Sequence, residues 1–103
     1  MDRIEKIIEF LKETPDDSFL LHALALEHIK LGNDAEARKL FENIVKADPG
    51  YVGTYYHLAK LFERNGDNEA AIETYEKGMK EAKKANDHKA FGELRAAYEE
   101  LTF

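Results

Sequence analysis

Cysteine is missing altogether, and so is tryptophan. Without cysteine the chain can form no disulfide, carries no thiolate nucleophile and cannot build a cysteine-based zinc site. Nothing in it asks for an oxidising compartment, so a cytoplasmic setting is the expectation. Proline occurs only at Pro15 and Pro49, and each reads as a break between helices. Long apolar runs are absent as well. Asp2, Arg3 and Glu5 follow Met1 directly, and no stretch suffices for a signal peptide or a membrane span, so a soluble chain with no membrane partner is expected. Basic residues are outnumbered, 15 Lys and Arg against 21 Asp and Glu for a net charge of −6. That balance opposes binding to a phosphate backbone, so no nucleic-acid partner is expected.

What the chain does contain is a repeat. Shifting the stretch Ser18 to Pro49 by 34 residues places Leu24 and Ala25 on Leu58 and Ala59, Gly32 and Asn33 on Gly66 and Asp67, and Ala37 on Ala71. The same shift places Phe41 on Tyr75, Glu42 on Glu76, Val45 on Met79 and Pro15 on Pro49. The pattern is Leu21, Leu24, Ala25, His28, Gly32, Ala37, Phe41 and Pro49, then Tyr55, Leu58, Ala59, Phe62, Gly66, Ala71 and Tyr75. A unit of this period and pattern resembles the tetratricopeptide repeat, a helix-turn-helix building block. The resemblance implies an all-α, right-handed superhelix of about six antiparallel helices.

Taken in order, Ile4, Ile7, Ile8 and Leu11 mark one apolar stripe of a helix within residues 1–14, and this segment reads as a capping helix. Moved forward by 34 residues, Ile7 falls on Phe41, Phe10 on Ile44 and Leu11 on Val45, so it resembles the second helix of a repeat whose first helix is absent. Residues 17–49 form the first repeat. Leu21, Leu24, Ala25 and His28 give its first helix a packing face, and small Ala25, like Ala59, allows close approach of two axes. Gly32 suits the left-handed conformation that ends a helix, and Asn33 with Glu36 forms a capping-box pattern.

Residues 51–86 form the second repeat, and its end departs from the family. Lys83 stands where the closing proline belongs, and Gly78 where a small apolar residue such as alanine is usual. The second helix should therefore run about a turn longer and stop near Asn86 and Asp87. The segment 87–103 carries Phe91, Leu94, Tyr98 and Leu101 at helical spacing and reads as a C-terminal capping helix, all within one domain over 1–103.

No His-Glu-x-x-His pair, glycine-rich phosphate loop or Gly-x-Ser-x-Gly elbow is present, so no enzyme, no catalytic residue and no cofactor is expected. His28 takes the place of an aromatic packing residue, and His88 reads as surface. His22 and His57 lack the further ligands that zinc requires, so no metal site is expected. Glu99 with Glu100 and Asp16 with Asp17 are adjacent, hence about 100° apart on a helix, and read as solvated charge or caps.

The resemblance places a concave groove along the first helices. Its expected contact residues are Phe19, His22, Leu26 and Lys30, then Tyr56, His57, Lys60 and Arg64. Ile29 and Glu63 share that lining, and the last helix adds Lys89, Glu93, Ala96 and Glu100. Leu26 and Ile29 either form interaction surface or are covered by neighbouring side-chain stems. One subclass of the family grips a peptide's C-terminal carboxylate; of the corresponding residues His22, Leu26, His57, Lys89 and Glu93 only Lys89 matches, so that activity does not carry over. The implied function is non-catalytic binding of a peptide or helix of a partner protein, with an acidic group on the partner suiting the basic residues. The alternative is a weak homo-oligomer, a structural protein associating through the ends of its array.

Overall fold

The computed structural model describes residues 2–103, and these form helices with no strand among them. The helices are α1 (Arg3–Glu13), α2 (Ser18–Lys30), α3 (Asp34–Ala47), α4 (Gly53–Arg64), α5 (Asn68–Lys84) and α6 (His88–Thr102). They divide into two compact units, Met1–Asp48 and Pro49–Phe103.

In the first unit α2 packs along α3, and α1 packs more lightly on α2. Ala25, Ala37 and Phe41 are fully buried and Ile44 nearly so, with Leu24 and Ile7 completing this core. Each large apolar side chain removed from water contributes about 1.5–3 kcal/mol, which exceeds what helix propensity supplies. The Ser18 hydroxyl donates to the Asp48 carboxylate at 2.7 Å, joining the start of α2 to the end of α3. Glu27 on α2 receives Arg3 of α1 at 3.2 Å and Lys30 at 3.0 Å. The Arg3–Glu27 pair links α1 to α2 but, with Arg3 largely exposed, adds little to the packing of Ile7.

In the second unit α5 packs on both α4 and α6, and α4 also touches α6. Its core contains Tyr55, Leu58, Ala59, Leu61, Ala71, Tyr75, Ala82 and Leu94. The Tyr55 hydroxyl donates to the Pro49 carbonyl at 2.6 Å and pins the loop that leads into α4. That helix begins at Gly53 rather than Tyr51, because the N–H groups of Thr54 and Tyr55 first close three-residue turns onto the carbonyls of Tyr51 and Val52.

Three turns share one hydrogen-bond pattern. The Asn33, Asp67 and Asp87 N–H groups donate to the carbonyls of His28, Phe62 and Ala82, while those of Gly32, Gly66 and Asn86 donate to Ile29, Glu63 and Lys83. This Schellman closure needs a left-handed residue in its middle, and Gly32, Gly66 and Asn86 hold φ of 78°, 83° and 55°. The α5–α6 connection thus uses the turn found between α2 and α3 and between α4 and α5. Lacking a proline, α5 extends to 17 residues against 14 for α3.

Asp2, Asp17, Asp67 and Asp87 cap their helices through the side chain, each accepting from the N–H three residues on. Asn33 does not: its amide lies 3.4 Å from the His28 ring nitrogen, and the capping box expected with Glu36 is not made. At Gly66 no atom lies within 4 Å of where a Cβ would stand, so only backbone strain opposes substitution. Gly66→Val should cost about 1–2 kcal/mol. Gly66→Asn should cost less, since asparagine tolerates the left-handed region and already holds it at position 86. Urea melts that rank the two variants equally would reject this account.

Candidate functional site

The residues expected to meet a partner lie on helix faces turned from the core. On α2, Phe19, Leu26 and Lys30 share a stripe at i, i+7 and i+11, opposite Leu21, Leu24, Ala25 and His28. Phe19 is 67% exposed, while Leu26 is half-buried. His22 flanks this stripe with its ring 5.3 Å from that of Phe41, so one side of it supports the first core. Lys30 is exposed and held by Glu27.

On α4, Tyr56, Lys60 and Glu63 form a stripe at i, i+4 and i+7, with His57 and Arg64 beside it. These side chains are brought together with buried Tyr75 of α5. The Tyr56 ring meets that of Tyr75 edge-on at 6.4 Å and that of His57 at 5.7 Å. The Lys60 ammonium sits 5.5 Å from the Tyr56 ring centroid and 3.5 Å from the Glu63 carboxylate. Glu63 also accepts a short hydrogen bond from the Tyr75 hydroxyl. Burial, that hydrogen bond and the charges of Glu63 and Glu100 together hold the Tyr75 phenol well above its ordinary titration range. Lys60 is therefore not a lone cation awaiting a carboxylate; its own helix supplies one.

Burial lowers the pKa of His57 below its ordinary 6.5, because desolvation penalises the charged ring. At neutral pH the ring is neutral in the fold. Below about pH 6.5 the unfolded chain takes up a proton more readily than the folded one, so His57 draws stability down as pH falls through its folded pKa. Urea midpoints should drop on going from about pH 7.5 to about pH 5.5, and His57→Gln should lessen that drop relative to the parent. Equal losses in both proteins would count against it.

The sequence pattern sets Tyr75 among the repeat positions and Glu63 in the groove lining without joining them. A usable signal was present: the first repeat holds Ile29 and Phe41 at these two positions, and the second holds Glu63 and Tyr75. Two apolar residues become polar together, and a buried tyrosine hydroxyl needs a partner. Among the described residues no group of three or more His, Cys, Asp or Glu side chains is placed to hold a metal ion. Nor is any helix among them long and apolar enough to cross a membrane.

Paired helices, left-handed turns and the fully buried Ala25, Ala37, Ala59 and Ala71 at repeat positions define a helical-repeat protein. The family model of the tetratricopeptide repeat matches residues 28–98, and the chain belongs to that family. It is similar to a tetratricopeptide repeat domain protein from Salinibacter ruber, at 44% identity to a crystal structure. That match covers 84% of this chain and 96% of that one with a TM-score of 0.80. A solution structure of such a protein from the same organism gives 45% identity, 84% and 88% coverage and a TM-score of 0.82. A protein from Bordetella parapertussis shares the fold at 20% identity, over 99% of this chain and 89% of that one, with a TM-score of 0.83. Among curated proteins none matches. Domains of this family generally mediate protein–protein interaction.

Proposed function

We propose that this chain is a non-catalytic recognition module that binds a peptide or helical segment of a partner protein on the outward faces of α2 and α4. The observation that carries this reading is that both helices place aromatic groups on the face opposite their packed one. Phe19 is two-thirds exposed on α2, and Tyr56 and His57 are half-buried on α4. Rigid aromatic side chains lose little entropy on binding and commonly dominate the energy of an interface. Leu26, Lys30 and Arg64 would contribute beside them, with Lys60 bordering the contact and His22 restrained by Phe41. Self-association gains less support at α6, where Glu93, Arg95 and Glu100 are exposed and polar, than at α1, which exposes Ile8 and Phe10.

The test is selection of a displayed peptide library against the intact chain, followed by affinity measurements on variants. Phe19→Ser and Tyr56→Ala should each weaken the selected peptides by about tenfold or more. The helical circular-dichroism signal should stay nearly unchanged. Should these variants bind normally while changes at exposed second-helix positions such as Arg38, Glu42, Glu73 and Lys77 abolish binding, the recognition surface lies on α3 and α5 instead.

A further inference from the structure

The Tyr56–Lys60–Glu63 cluster shows more than a place where a partner touches. Its parts are an aromatic ring, a carboxylate beside it and a cation between the two, with Lys60 5.5 Å from the ring centroid and 3.5 Å from Glu63. A ring face next to a carboxylate is the arrangement that holds a cationic side chain. We infer that Tyr56 and Glu63 form a subsite for an arginine side chain of the partner segment, occupied in the free protein by the chain's own Lys60.

Three observations support the assignment, which rests on the α4 face being the recognition surface. First, Lys60 is held weakly. The pair is three residues apart on one helix, its separation is long for a charged contact, and the side chains are 37% and 25% exposed, so solvent screens it and it contributes little. An incoming cation can exchange with it. Second, Glu63 is held firmly, because the buried Tyr75 hydroxyl donates to it and fixes its position whether or not Lys60 is present. Third, a carboxylate already holds a cation there, Glu63 with Lys60, and the charge of Glu100 on α6 reaches the Tyr75 phenol that donates to Glu63. A guanidinium suits the site better than an ammonium does, since its plane stacks on a ring while its fork reaches a carboxylate. The acidic ligand expected from the sequence would instead have to draw Lys60 away from Glu63.

The probe is the tripeptide N-acetyl-Gly-Arg-Gly-amide, titrated into the full chain while the ring resonances of Tyr56 and Tyr75 are followed by NMR. The neutral citrulline counterpart serves as control. The arginine peptide should shift these resonances and the citrulline peptide should not. Lys60→Gln, which vacates the subsite, should tighten binding by about two- to fivefold. Glu63→Gln retains an acceptor for Tyr75 yet removes the charge, and should weaken binding by a similar factor. Equal binding of both peptides, no gain in Lys60→Gln, or shifts confined to other residues would overturn the assignment. That outcome is separate from the display experiment, which can succeed through Phe19 and Tyr56 with no arginine in the selected peptides.

Discussion

Truncating Tyr75 to alanine should cost about 3–5 kcal/mol, the range for removing a large aromatic ring from a close-packed interior. Tyr75 is the largest fully buried side chain, and its ring lies edge-on to that of Tyr56. Small domains are stable by only about 5–15 kcal/mol in total, so this variant should be close to unfolding at room temperature. Tyr75→Phe isolates the hydroxyl. It keeps the ring and deletes only the hydrogen bond to Glu63. A neutral donor to a carboxylate contributes about 1.5–3 kcal/mol when desolvated, but Glu63 is a quarter exposed and water can replace the lost donor, so about 1 kcal/mol is expected. Urea midpoints measure both variants. If Tyr75→Phe proved as damaging as Tyr75→Ala, the hydroxyl rather than the ring would hold the second unit together, and the division of energies drawn here would be wrong.

The helices were legible in the sequence wherever a local rule decided the outcome. Period and apolar spacing placed α2, α3 and α5, and the glycines at 32 and 66 placed their turns. The lysine at 83 in place of a proline foretold the longer α5. Side-chain partnerships decided by tertiary geometry were not legible. Asn33 had the composition of a cap, but its amide lies by the His28 ring nitrogen, which no local rule indicates. Arg3 and Glu27 lie on different helices, and nothing local marks them as partners. The candidate site suffered in the same way. Listing Lys60 and Arg64 as basic residues of a surface was correct as composition, yet Lys60 is paired with Glu63, and Glu63 meets the Tyr75 hydroxyl only after α4 and α5 have packed.

Gly78→Ala should lower stability by about 1–3 kcal/mol, although by helix propensity alone it should raise it. Gly78 lies inside α5, where glycine is about 1 kcal/mol less favourable than alanine. Its departure from the family's usual alanine has a steric cause. A Cβ at this position would stand 2.6 Å from Cβ of Tyr55 and 3.0 Å from both Cγ of Tyr55 and Cδ1 of Leu94. Neither neighbour can withdraw cheaply. Tyr55 is 2% exposed with its hydroxyl tied to the Pro49 carbonyl, and Leu94 of α6 is 1% exposed in the contact with α5. Making room means separating α5 from α4 and α6 together, and that loss outweighs the propensity gain. Gly92 supplies the control, since it lies inside α6 with open space around its missing side chain. Gly92→Ala should stabilise by about 0.5–1 kcal/mol. Paired urea melts should therefore move in opposite directions. If Gly78→Ala matched or exceeded the parent, the three helices of the second unit would not approach as closely as described, and the family's ordinary alanine would fit there after all.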